Sequence, residues 1–177
     1  MRIGITGVPG SGKTTLSKLV CEKYNLQYIS INDLINEKGF WTTIDARDDA
    51  KVVNMIALKK ELQNVPENCV VEGHLLCEFP VPLDILIILR LPIKLLEKRL
   101  TEREYNDFKM KSNIYSELLD YCTDRAKCKY SNSPKTIMYE VLTNKKIEEC
   151  MDDIDKIING SGDKFRAPWV NLSEFEM

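Results

Sequence analysis

The sequence lacks any long apolar run. Its densest stretch, Ile85 to Leu89, is closed at once by Asp84 and Arg90, far short of the roughly 20 residues that cross a membrane as a helix. Glycine and proline are sparse, at 8 and 7 of 177 residues, which excludes collagen-like and low-complexity chains. Charge of one sign is also missing: the formal net charge is −2. A general nucleic-acid binder needs a basic surface, so strong direct nucleic-acid binding is not expected beyond a local patch. There is one histidine. The six cysteines (21, 69, 77, 122, 128 and 150) form no C-x-x-C pair and have no histidine at metal-ligand spacing. They are read as reduced thiols. No secretory signal is expected either, because Met1-Arg2 leads into a short apolar run, then glycine and Lys13. The cytoplasm is the default compartment. A nuclear destination would leave no trace in these residues.

What is present is a repeated alternation of apolar strands and helical patterns. Residues 2–6, 27–31, 69–72, 84–89 and 136–141 read as strands. The run at 84–89 is apolar on both faces, as a parallel strand covered by helices must be. Helical spacing marks 13–24, a short helix after Asn32-Asp33 ending near Gly39, 51–63, 92–104, 106–129 and 145–159. Residues 40–50 read as irregular. The fold class is therefore α/β, with a five-stranded parallel sheet and helices on both faces. Length favours a single domain over 1–177, with a tail from about 160 that carries Pro168 and Trp169.

Gly7-Val-Pro-Gly-Ser-Gly-Lys13-Thr14 matches G-x-x-x-x-G-K-[ST] between the first strand and the first helix. Glycines let backbone N–H groups wrap phosphates, and the helix adds its positive end. Lys13 would reach the β and γ phosphates, and Thr14 would offer a hydroxyl to Mg2+. The alternative is a glycine-rich turn with an incidental lysine. A dinucleotide fingerprint is excluded, since Gly7, Gly10 and Gly12 are spaced G-x-x-G-x-G.

Glu72 ends the third strand, where ligands of open α/β sheets bind. It could hold Mg2+ or stand as a solvated strand-end carboxylate. His74, two residues on, could move a proton or only position its loop. Asp84 begins a strand at the opposite edge and reads as structural. Arg99 and Arg103 are four apart and share a helix face. Guanidinium groups suit phosphoryl oxygens. The helical pattern breaks just beyond, at Tyr105-Asn106, as a mobile lid would. The competing reading is a surface paired with Glu97 and Glu102.

Taken together, residues 7–15, Glu-Gly-His-Leu (72–75), Arg-Glu-Tyr-Asn-Asp-Phe-Lys (103–109), Asn113 and Glu117 resemble the adenylate kinase isoenzyme 6 family, the CINAP-type atypical nucleoside monophosphate kinases. The similarity runs over about residues 2–159. The resemblance implies a P-loop kinase fold with an acceptor-binding part at about 30–55 and a lid at about 102–112. It implies transfer from ATP to AMP with Mg2+, an ATPase activity, and a link to small-subunit ribosome maturation through a ribosomal protein of the uS11 type. By motif, Gly10, Ser11, Gly12, Lys13, Thr14 and Thr15 would bind ATP phosphates. Arg103 would be the lid arginine, Glu72 and His74 the acid-x-His pair, and Asn144 would lie near adenine. With Lys13 and Arg103, Glu72 and His74 are the candidate catalytic residues, and Thr14 and Glu72 the candidate metal ligands. Two positions depart from the family pattern: Asn54 follows Val52-Val53 where aspartate is usual, and Arg125 stands where an acid is usual.

Two other readings stay open. One is an ATP-driven ribosome assembly factor that uses hydrolysis as a switch. The other is a kinase for a different small acceptor, for which Arg47 is the one arginine in 30–55.

Overall fold

The computed structural model describes residues 1–47, 49–133 and 135–162. In chain order the elements are β1 (Arg2–Thr6), α1 (Lys13–Tyr24), β2 (Gln27–Ser30), α2 (Ile31–Lys38), β3 (Trp41–Asp45), β4 (Ala50–Val53), α3 (Met55–Leu62) and β5 (Cys69–Glu72). A 3-10 turn (His74–Cys77) follows, then β6 (Ile85–Arg90), α4 (Ile93–Thr101), α5 (Asp107–Leu118), α6 (Tyr121–Tyr130), β7 (Ile137–Leu142) and α7 (Ile147–Ile158). No helix among the described residues is long and apolar enough to cross a membrane. All six cysteines are free thiols.

Five strands form one parallel sheet in the order β2-β5-β1-β6-β7. Every residue of β6 is buried, which accounts for its unbroken apolar run. Ile3, Ile5, Ile87 and Leu89 face α1 and α7. Val71, Leu86 and Ile88 face the layer that includes Leu58 of α3, Leu96 of α4 and Ala126 of α6. The α/β expectation is met, with seven helices among the described residues covering the two faces. In register, Ser30 and Ile5 both lie beside Glu72, and Thr6 lies beside Ile88. The strands therefore end together, and their carboxyl ends form one edge where the connecting loops converge. Asp84 lies at the other edge as expected, accepting from the Arg2 amide at 2.7 Å.

Four local expectations need correction. Residues 40–50 are not irregular: β3 and β4 form an antiparallel hairpin. Trp41-Thr-Thr-Ile and Val52-Val53 are good strand formers. Both strands are largely exposed, so the hairpin carries none of the inside-outside alternation that betrays a strand. It also shortens the next helix, which begins at Met55 rather than near 51. The helix after β2 is capped by Ser30, whose hydroxyl accepts from the Asp33 amide at 3.2 Å, not by Asn32-Asp33. The single helix expected over 106–129 is two, because Asp120 turns left-handed at φ 53. No glycine or proline announces that break; a buried arginine does, as described below. Most of the expected tail, from 163 on, lies outside the described residues.

Candidate active site

The loop from β1 to α1 passes through backbone space that favours glycine: φ is 139 at Gly7, 89 at Gly10 and 94 at Gly12. At Gly7 there is also no room, since a Cβ would lie 2.6 Å from the Leu89 carbonyl oxygen. The loop is thus pressed onto the end of β6. Thr143, just past β7, fastens it further. Its Oγ1 lies 3.1 Å from the carbonyl oxygens of both Ser11 and Arg90, and its amide donates to the Arg90 carbonyl at 2.8 Å. Arg99 of α4 completes the brace, donating to the Gly10 carbonyl at 3.0 Å and the Thr143 carbonyl at 3.2 Å.

Lys13, in the first turn of α1, folds its ammonium under the loop and donates to the carbonyls of Gly7 (3.0 Å) and Val8 (2.9 Å). Two of its three donors are so engaged. Desolvation by burial lowers its pKa to about 8, against the pull of Glu72. Glu72 is 4% exposed, so the solvated strand-end reading is excluded. Its Oε1 accepts from Thr14 Oγ1 at 3.4 Å and from Tyr28 Oη at 3.1 Å. Burial, then the charge of Glu72, pushes the Tyr28 phenol up to about 12. Tyr28 is the site residue that sequence reasoning missed; only the pairing of β2 with β5, invisible in the residues themselves, brings it beside Glu72. His74 is exposed to solvent and lines a cleft. Desolvation by neighbouring protein, helped by the Lys13 charge, pulls its pKa down, so the imidazole is neutral at pH 7.

Two clefts open about this edge of the sheet, and Lys13 itself lines neither. One, of about 360 Å3, is walled by the loop at Gly10 and Gly12, by Thr15, and by Arg99, Arg103 and Thr143. The other, of about 400 Å3, is walled by Asn32 and Asn36 of α2, Lys51 and Val53 of β4, and His74. The structure thus gathers Gly10, Ser11, Gly12, Lys13, Thr14, Thr15, Glu72, His74, Arg99 and Arg103 about one edge of the sheet. Asn144 is exposed; its neighbours Thr143 and Lys145 line the first cleft, and it does not. Among the described residues, neither Arg99 nor Arg103 pairs with Glu97 or Glu102. Thr14 and Glu72 offer adjacent hard oxygens. This suits Mg2+, which takes one or two protein ligands and fills its octahedron with water and phosphate oxygens.

The two departures from the family pattern find local partners. Asn54 caps α3 by accepting from the Ala57 amide at 3.1 Å, a task aspartate performs equally well. Arg125 donates to Glu78 at 2.6 and 3.2 Å.

Comparison with known proteins agrees with this geometry. A family described as an AAA domain matches residues 3–120. A protein of Pyrococcus abyssi named "Putative adenylate kinase" is 34% identical, across 98% of this chain and 92% of its own length. The chain belongs to this family of P-loop kinases. Proteins with the same name from Methanosarcina barkeri (34% identical, 97% of this chain and 99% of the relative) and Methanocaldococcus jannaschii (31%, 89% and 86%) extend the likeness. The similarity reaches well beyond the phosphate loop, to the hairpin, α4 and α5.

Proposed function

We propose that the chain is a nucleoside monophosphate kinase of the isoenzyme 6 type that transfers the γ-phosphoryl of ATP to AMP. The observation that carries this reading is the pair of clefts at the phosphate-loop edge of the sheet. One is bounded by the phosphate loop and Arg103, the other by β4 and His74. The first would seat ATP and the second the acceptor, with residues 30–55 as the acceptor-binding part and 102–112 as the lid. Loop amides and Lys13 would hold the β and γ phosphates, and Arg103 would meet the charge that spreads over the transferring group. Bound Mg2+, held by Thr14 and Glu72, would neutralise phosphate charge. A phosphate monoester is largely ionised at pH 7, so the acceptor needs no strong base, and positioning does most of the work. His74, a weakened base because its pKa is lowered, would orient the acceptor by hydrogen bonding rather than accept its proton.

The test is ADP formation from Mg-ATP with no acceptor and with AMP, dAMP, CMP, UMP or GMP. AMP should stimulate most. Hydrolysis indifferent to every monophosphate, yet accelerated by a ribosomal protein of the uS11 type, would replace this reading with the assembly switch.

The depressed pKa of Lys13 gives a second expectation. Below about pH 8 the side chain is charged and attracts the nucleotide; above it the neutral amine does not. Bound phosphate resists deprotonation, so the loss is progressive. ATP affinity measured by calorimetry should fall steadily from pH 7.5 to 9, and a flat profile across that range would contradict the role given to Lys13.

A further inference from the structure

The hairpin and the lid touch. Asn106, which caps α5 by accepting from the Lys109 amide at 2.8 Å, also donates through Nδ2 to the Arg47 carbonyl at 3.1 Å. Two residues along, the Phe108 ring lies under the Arg47 guanidinium, 5.2 Å from its carbon to the ring centre. Asp45 holds that guanidinium in place, accepting from Nε at 3.0 Å and Nη2 at 2.6 Å. The ring is 48% exposed, so core packing does not fix it there. Arg47 stands at the hairpin tip, whose β4 strand walls the acceptor cleft. Phe108 and Asn106 follow directly on Arg103, which walls the ATP cleft. The contact therefore ties the hairpin to the segment that follows Arg103.

We propose that Arg47, Asn106 and Phe108 form a latch whose closure decides whether the γ-phosphoryl passes to the acceptor or to water. This rests on the transfer reaction proposed above. In either branch the bond between the γ-phosphorus and the β–γ bridging oxygen breaks, and its electron pair leaves with ADP. In transfer, a phosphate oxygen of the monophosphate makes the new bond and a second diphosphate results. In hydrolysis, a water oxygen makes it, and the water's proton passes to solvent with the release of inorganic phosphate. Closing a site excludes water and suppresses the second branch. An exposed cation–π contact and a hydrogen bond of this kind are individually weak enough to open and re-form every cycle.

The experiment measures inorganic phosphate released per ADP made from AMP. Phe108→Ala should raise that ratio about three- to tenfold, and Phe108→Trp should restore it, because indole is the better cation–π partner. Arg47→Ala should give a similar rise, and the double variant should add little to either single one, as coupled partners do. Thermal melting confirms that each variant is folded. A wild-type enzyme that transfers to AMP, with a ratio unmoved by Phe108→Ala and Arg47→Ala or with fully additive effects, overturns the latch alone. A wild-type enzyme that transfers to no monophosphate overturns the proposed reaction, and the latch's role with it.

Discussion

Lys13→Ala should lower phosphoryl transfer at least a hundredfold and leave the fold standing. The size follows from the charge the side chain would bring to the transferring phosphates. Removing one preorganised donor aimed at developing charge costs about 10² to 10³ in rate, and Lys13 brings a full charge. The fold should survive because burying this ammonium carries a desolvation penalty, visible in its pKa of about 8. The protein loses two hydrogen bonds to loop carbonyls but is relieved of that penalty. Melting curves should agree within a few degrees while turnover collapses. Retained turnover in a folded variant would sink the assignment of the loop.

Arg90 presents the reverse case, a residue whose loss should damage the fold. It ends β6 with its side chain 1% exposed. Nε donates to Glu117 at 2.8 Å, Nη1 to Glu140 at 2.9 Å and Thr123 at 3.4 Å, and Nη2 to the Glu117 carbonyl at 3.3 Å and to Asp120. All five N–H groups are thereby used. Glu117 also accepts from the Leu91 amide at 3.1 Å, so α5, α6, β6 and β7 meet at one guanidinium. The grip on Asp120 and on the last turn of α5 splits the expected long helix in two. Arg90→Met would leave Glu117 and Glu140, 2% and 0% exposed, without their cation. Breaking such a buried pair costs about 3 to 5 kcal/mol, or roughly 6 to 20 °C of melting temperature for a domain of this size. Arg90→Lys keeps the charge but not the fork and should fall between. A melting temperature unchanged in Arg90→Met would show that the network adds nothing.

Much of this was legible in the residues. The phosphate loop shows itself through glycine spacing, and β6 through its run of Ile and Leu. The placement of Glu72 followed from the rule that parallel strands present their carboxyl ends to ligands. What escaped had no local signal. The β3–β4 hairpin is exposed on both faces, so no periodicity marks it. Tyr28 reaches Glu72 only because β2 lies beside β5. The break at Asp120 is dictated by Arg90, thirty residues earlier in the chain. Arg47 stood out only as the one arginine in 30–55, and only the folded chain shows that it meets the lid.

The strand order has a consequence for the birth of the molecule. β1 lies at the middle of the sheet but is made long before its two neighbours, residues 69–72 and 85–90. At translation rates of about 5 to 20 residues per second, Ile3 and Ile5 wait roughly 4 to 17 seconds for a place to be buried. Such late, distant pairing folds slowly and leaves an apolar strand open to wrong partners. Chaperone supply during synthesis should therefore govern the yield of this protein more than the stability of the finished fold does.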